Sequence, residues 1–174
     1  MEQPLPIPPL SPTAPGDTTS PPGTGQDPSS AALAQGVMCG PWWLAFPFSW
    51  ARSIVENVQL SEVPHAPAWL IGAANIEGKV VPVFDLAVYL DASLPPAGPG
   101  TLMLLGGEAE QAAAIAFHGL PAMARPQAGL APPETPAALL EFVAGAACDD
   151  GGRAWALIDA ASLMEALSAE LALV

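Results

Sequence analysis

Apolar residues along this chain come in short runs cut by Gly and Pro, and few runs are long enough for a helix. "GVMC" and "WWLAFPFSW" are parted by Gly40-Pro41 and predict two strands. "SIVENVQLSEV" alternates in part through Ile54, Val58 and Leu60, the period of a half-buried strand. "APAWLIGAANI" predicts a short helix or turn that runs into a strand. Glu77-Gly78 is turn chemistry, because Gly accepts positive φ. "KVVPVF" is a further strand, with Pro82 at an edge or a bulge because it has no N–H for a ladder. In it Val80, Val81 and Val83 fill a core or a contact face. Asp85 is placed to cap one helical turn in "DLAVYL".

"SLPPAGPG" (93–100) is the strongest internal break and predicts the seam between two halves. "TLMLLGG", "QAAAIAF" and "LPAMAR" follow as three short strands, and "QAGLAPPETP" as a loop. "AALLEFVAGAA" fits helix or strand equally. "DDGG" (149–152) is a turn into the strand "RAWALI". The end of the chain has a different period. Leu163, Leu167 and Leu171 recur at i, i+4 and i+8 behind Asp159, which predicts a capped helix. Many short strands and one closing helix predict an all-β fold of small barrels with a C-terminal helix.

Composition divides the chain at about residue 30. Residues 1–30 hold nine Pro, eight Ser or Thr and no basic residue, which predicts a disordered Pro/Ser/Thr-rich tail. Within it "PLPIPPLSP" reads as a solvated leader, or else as a polyproline II ligand. Residues 31–174 carry 14 acidic and 4 basic residues, a length and composition able to bury about two-thirds of the unfolded surface. The whole chain is at −13, with Arg52, Lys79, Arg125 and Arg153 its four cations. Four scattered cations cannot neutralise a run of phosphates, so neither nucleic acid nor an anionic membrane is an expected partner. "MEQPLPIPPL" has neither a basic n-region nor an apolar h-region, and no stretch is long and apolar enough to span a bilayer. The expected place of action is the cytoplasm, with Cys39 and Cys148 as free thiols rather than a disulfide.

No chemistry-bearing constellation emerges. His65 sits in a Pro-bracketed loop and His118 precedes Gly119 as a turn residue, too few and too separate for a metal site. Cys148 lies beside Asp149 and Asp150, which disfavour its thiolate. Glu108/Glu110 and Asp149/Asp150 fall in turns, where carboxylates form a solvated rim rather than an acid–base pair. Trp42, Trp43, Trp50, Trp69 and Trp155 read as core or interface residues, with an aromatic ligand cage as the alternative. No enzyme activity, cofactor or metal is expected.

Residues 62–86, "EVPHAPAWLIGAANIEGKVVPVFDL", resemble the central signature of CheW-like domains. Val63, Pro64, Ala66, Pro67, Gly72, Asn75, Gly78, Pro82, Val83, Asp85 and Leu86 fall in register with it. "LAFPFSWARSIVENVQLSEVP", "AAAIAFHGLPAM" and "RAWALIDAASLMEAL" extend the likeness over about 33–170. The resemblance implies two SH3-like five-stranded β-barrels side by side with a C-terminal helix. It implies a non-catalytic chemotaxis adaptor that couples chemoreceptors to a CheA-type histidine kinase. The kinase's regulatory domain would meet it barrel to barrel, and the receptor's helical cytoplasmic tip would dock between the barrels. Carried over, the partner-binding residues are Asn75, Ile76, Glu77, Gly78 and Val81, with Pro64, Gly72, Pro82 and Asp85 structural. Glu77 stands where the family has Arg, and it replaces a donor fork with an acceptor of opposite charge. That departure keeps a second reading open: a regulator that binds the kinase but not standard receptors, as in a pilus-motility pathway. A small ligand-binding barrel built on Trp42, Trp43 and Trp50 is a third.

Overall fold

The computed structural model describes residues 33–174. Segment 1–30, expected to be a tail, lies outside the described residues. Ten strands and two helices follow in chain order. The strands are β1 (Ala34–Cys39), β2 (Trp42–Pro47), β3 (Ala51–Val55), β4 (Leu60–Ser61), β5 (Leu70–Ile76) and β6 (Lys79–Phe84). After helix α1 (Leu86–Leu90) come β7 (Leu102–Gly106), β8 (Ala113–Pro126), β9 (Val143–Asp149) and β10 (Ala154–Ile158). Helix α2 (Ala160–Leu171) closes the chain. The ambiguous "AALLEFVAGAA" is both things in turn, a 3₁₀ turn over Ala137–Phe142 and then β9.

The strands form two sheets that share β8. In one, β1 pairs with β2, β2 with β10, β10 with β9, β9 with β8 and β8 with β1, so five strands close into a ring. In the other the order is β4–β5–β6–β8–β7–β3. β8 serves β6 and β7 through residues 113–117 and the ring through 118–126. This corrects the expectation of separate strands over "QAAAIAF" and "LPAMAR": Gly119 takes φ 72° and the strand continues past it. The sheets also do not part at 93–100. That stretch joins α1 to β7, and β7 pairs back to β3 in the same sheet. A Pro/Gly run marks a loop, whereas sheet membership is decided by pairing partners far away in sequence.

In β2, Leu44, Ala45 and Phe46 are buried in succession, so both faces of the strand are covered there, which explains the unbroken apolar run in "WWLAF". Each ring strand contributes one fully buried residue to the ring interior, Ala34, Ala45, Ala124, Ala147 and Trp155, with Trp43, Ala122 and Leu157 partly buried against them. Four methyl groups leave the room that one indole fills. The opposite faces of β1, β2 and β10 send Val37, Leu44, Phe46 and Ile158 into the largest core. There they meet Phe84 and Leu104 of the second sheet and Leu163 and Leu167 of α2. The second sheet has its own interior of Ala74, Ile76, Val81, Val83 and Met103.

Candidate interaction surface

The signature segment folds into the β5–β6 hairpin and the cap that follows it. Ile76 pairs with Lys79 across a two-residue turn in which Glu77 (φ 54°) and Gly78 (φ 80°) both lie in the left-handed region. This is the turn geometry whose twist matches the flanking strands. Alternation then sorts the side chains. Ala74, Ile76, Val81 and Val83 point inward, while Asn75 and Val80, paired across the strands, point outward. Val80 is 78% exposed and Val81 only 2%.

Of the five residues expected at a contact, Asn75, Glu77 and Gly78 are exposed. Ile76 and Val81 are core residues, 8% and 2% exposed, and this corrects their place in the set. Lys79 and Val80 are exposed beside them on the hairpin tip. The period-2 rule, applied from buried Val83 backwards, puts Val81 inside and Val80 outside, so the signal for Val80 was present in the sequence.

The four structural positions have separate tasks. Pro64 is exposed in the turn before β5. Gly72 is buried against β4, where an added Cβ would fall 2.8 Å from the Ser61 carbonyl oxygen. Pro82 sits one residue before the ladder between β6 and β8 begins at Val83, so its missing N–H interrupts nothing there. Asp85 is 1% exposed and caps α1 by accepting from the Val88 N–H at 3.2 Å. Its other oxygen accepts from the Ala97 N–H at 2.7 Å, which ties the loop after α1 to the end of the hairpin.

Three depressions lie around this framework. Beside the hairpin tip, about 390 Å³ is enclosed by residues that include Arg52, Glu77, Lys79, Leu105 and Glu108. Arg52 is held there by Glu108 and by the Gly107 carbonyl, 2.9 Å from Nε. Between the two sheets, about 110 Å³ is lined by Gln35, Phe48, Ile54 and Leu104 among others. Phe48 and Ile54 are more than a third exposed. Where β8 passes from one sheet to the other, His118, Gly119 and Leu120 are exposed, Leu120 by 88%. His118 is therefore a strand residue opposite Met38, not a turn residue. A third groove, of about 430 Å³, runs between α2, β6 and the 3₁₀ turn Ala109–Gln111. Convergence of Arg52, Lys79 and Glu108 was beyond sequence reasoning, since three separate segments bring them together.

The remaining reactive side chains are accounted for structurally. Burial, with the Asp85 charge as a second cause, pushes the Cys39 thiol up, out of nucleophile range. Asp149 accepts from the N–H groups of Gly151 and Arg153 and from Trp155 Nε1, and these bonds, Arg153's first, hold its carboxyl below the usual range. Asp150 pairs with Arg125 at 2.6 Å. Arg153 lies 3.8 Å over the Trp43 ring, whose edge meets Trp155. Trp42 and Trp50 face the large core and Trp43 the ring interior, so the three do not form one cage. Among the described residues no group of three or more His, Cys, Asp or Glu is placed to hold a metal ion. Among them, too, no helix is long and apolar enough to cross a membrane.

A family model described as "CheW-like domain" matches residues 35–168. Among solved structures, the chain is similar to the scaffolding protein TtCheW from Thermoanaerobacter tengcongensis. The match has 18% identity and a TM-score of 0.58, and it covers 74% of this chain and 89% of that one. A search of curated protein sequences finds no match.

Proposed function

The chain belongs to the CheW-like domain family, and from that premise we propose that it is a non-catalytic adaptor that couples chemoreceptors to a CheA-type histidine kinase in the cytoplasm. The observation that carries this reading is the hairpin. A segment with the family's signature spends its buried positions on holding a rigid two-residue turn. Its exposed positions, Asn75, Glu77, Gly78, Lys79 and Val80, form a small mixed surface that fits protein contact. The depression between the sheets, with half-exposed Phe48 and Ile54, offers a seat for a receptor's helical tip.

Binding to the isolated regulatory domain of a CheA-type kinase, measured by calorimetry, tests the proposal. A dissociation constant near 10 μM or tighter is expected for a contact of this kind. Val80→Glu should weaken it by about tenfold, since a charge is placed in the contact. No binding at 100 μM, in order of magnitude, would remove the adaptor reading.

One observation favours a narrower reading. Glu77 presents a carboxylate where the family presents a guanidinium, and wrong-sign charges at an interface exclude partners. On this reading the kinase binds and standard receptors do not. Glu77→Arg should then create receptor binding, whereas Glu77→Asn, which only removes the charge, should create less. Equal receptor binding by the native protein and both variants would sink the charge argument.

A further inference from the structure

The groove along α2 borders the β6 arm of the hairpin at Pro82 and Phe84, and it shares no lining residue with the space between the sheets. Its floor is apolar: Trp50, Phe84, Ala113 and Met164. One wall is a single face of α2, where Ala161, Glu165 and Ser168 follow at i, i+4 and i+7. The short side chains of Ala161 and Ser168 leave that face hollow, while Leu163 and Leu167 anchor the other face in the core. The opposite wall is the 3₁₀ turn with Glu110. The lining thus carries two carboxylates, Glu110 and Glu165, and no Lys or Arg. Gly107 and Ala112 also line the neighbouring depression, which holds Glu77 and Glu108 together with Arg52 and Lys79.

We infer that this groove is a docking surface for an amphipathic helix of a partner protein, with apolar side chains on the floor and Lys or Arg reaching Glu110 and Glu165. Charge decides the sign of the partner. The rim is acidic and the 31–174 domain carries 14 acids against 4 bases, so an acidic helix is repelled and a basic one steered in. Geometry decides its form. The stretch of α2 from Ala161 to Ser168 is about 10 Å long, two turns against which a second helix packs side by side. An added strand is disfavoured, because β6 is already flanked by β5 and β8 and its Pro82, which lines the groove, has no N–H to offer. The surface does not depend on the kinase contact, and loss of one leaves the other in place.

The test uses the full chain and a synthetic helix of Leu, Ala and Lys with Leu on one face, followed by tryptophan fluorescence and calorimetry. Saturable one-to-one binding is expected, and the same helix with Glu for Lys should not bind. The double variant Glu110→Gln/Glu165→Gln should weaken binding about tenfold. The exposed pair Glu56→Gln/Glu134→Gln, with the same change in net charge, should stay within about twofold. Ala161→Trp, at an exposed position, fills the hollow and should abolish binding while the unfolding midpoint holds. Equal weakening by the two Glu pairs would reduce the effect to general charge attraction and overturn the proposal. Unchanged binding in Ala161→Trp would do the same.

Discussion

Gly106 on β7 leaves the space that the Trp50 indole occupies: a Cβ built at 106 would stand 2.3 Å from Cε3 of that ring. A strand glycine is ordinarily a weakness. Here it lets a large side chain lie against bare backbone and form both core and groove floor. Gly106→Ala should therefore overpack the site. A loss of about 1–3 kcal/mol in chemical unfolding is expected, together with a shifted tryptophan emission. An unchanged denaturation midpoint would show that Trp50 has another place to go.

Asp85 ties two elements together through one carboxylate. Asp85→Ala leaves the buried N–H of Val88 and the half-buried N–H of Ala97 without acceptors and removes a helix cap. The expected cost is about 2–4 kcal/mol. Asp85→Asn keeps one oxygen but turns an amide NH₂ towards one of the two N–H donors, so it should recover only part. Faster hydrogen exchange at Ala97 in both variants would separate this clamp from a generic loss of stability.

Glu77 is a non-glycine residue at φ 54° in a turn that prefers Asn-Gly. Glu77→Asn should raise stability by about 0.5–1 kcal/mol, because Asn tolerates the left-handed region better. Thermal unfolding measures it directly. A lower melting temperature would mean that the glutamate makes a contact that stabilises the turn.

Tyr89 is the single tyrosine of the chain, so absorbance of its phenolate reports it alone. Burial first, then the hydrogen bond to Glu170 at 2.7 Å, pushes its pKa up from 10.0 to about 12. The folded value lies above the unfolded one, so the associated stability is complete below pH 10 and is lost as pH climbs towards 12. Glu170→Gln should lower the titration midpoint without returning it to 10.0, since burial remains. A midpoint at the free value in the native protein would contradict the contact between α1 and α2.

What local chemistry dictates was legible beforehand. The hairpin at Glu77-Gly78, the Asp85 and Asp159 caps and the α2 stripe rest on rules that act within a few residues, and each is present in the structure. Long-range pairing was not legible. Gly119 and Pro121 look like breakers and fall at a register shift where 119–121 have no partner in β1, yet pairing of β1 with His118 on one side and Ala122–Ala124 on the other carries β8 across them. The 93–100 break is a real loop that separates nothing, since pairing of β3 with β7 spans it. Within the candidate surface, the motif lies on the β5–β6 hairpin, but motif position alone does not say which of its side chains face outward. Ile76 and Val81 carry the motif yet turn inward, because the alternation of the strand puts them on the core face.

The ring of β1, β2, β8, β9 and β10 sets a timetable for synthesis. Its first two strands leave the ribosome early, but their partners begin at residue 113 and end at 158. The five ring strands cannot all meet until residue 158 has emerged. Until then the apolar faces of β1 and β2 have no neighbours from the ring's far side, and such exposed strands are the ones that aggregate. Slowing translation or withdrawing chaperones should accordingly harm this protein during its making far more than after it, when the ring has shut.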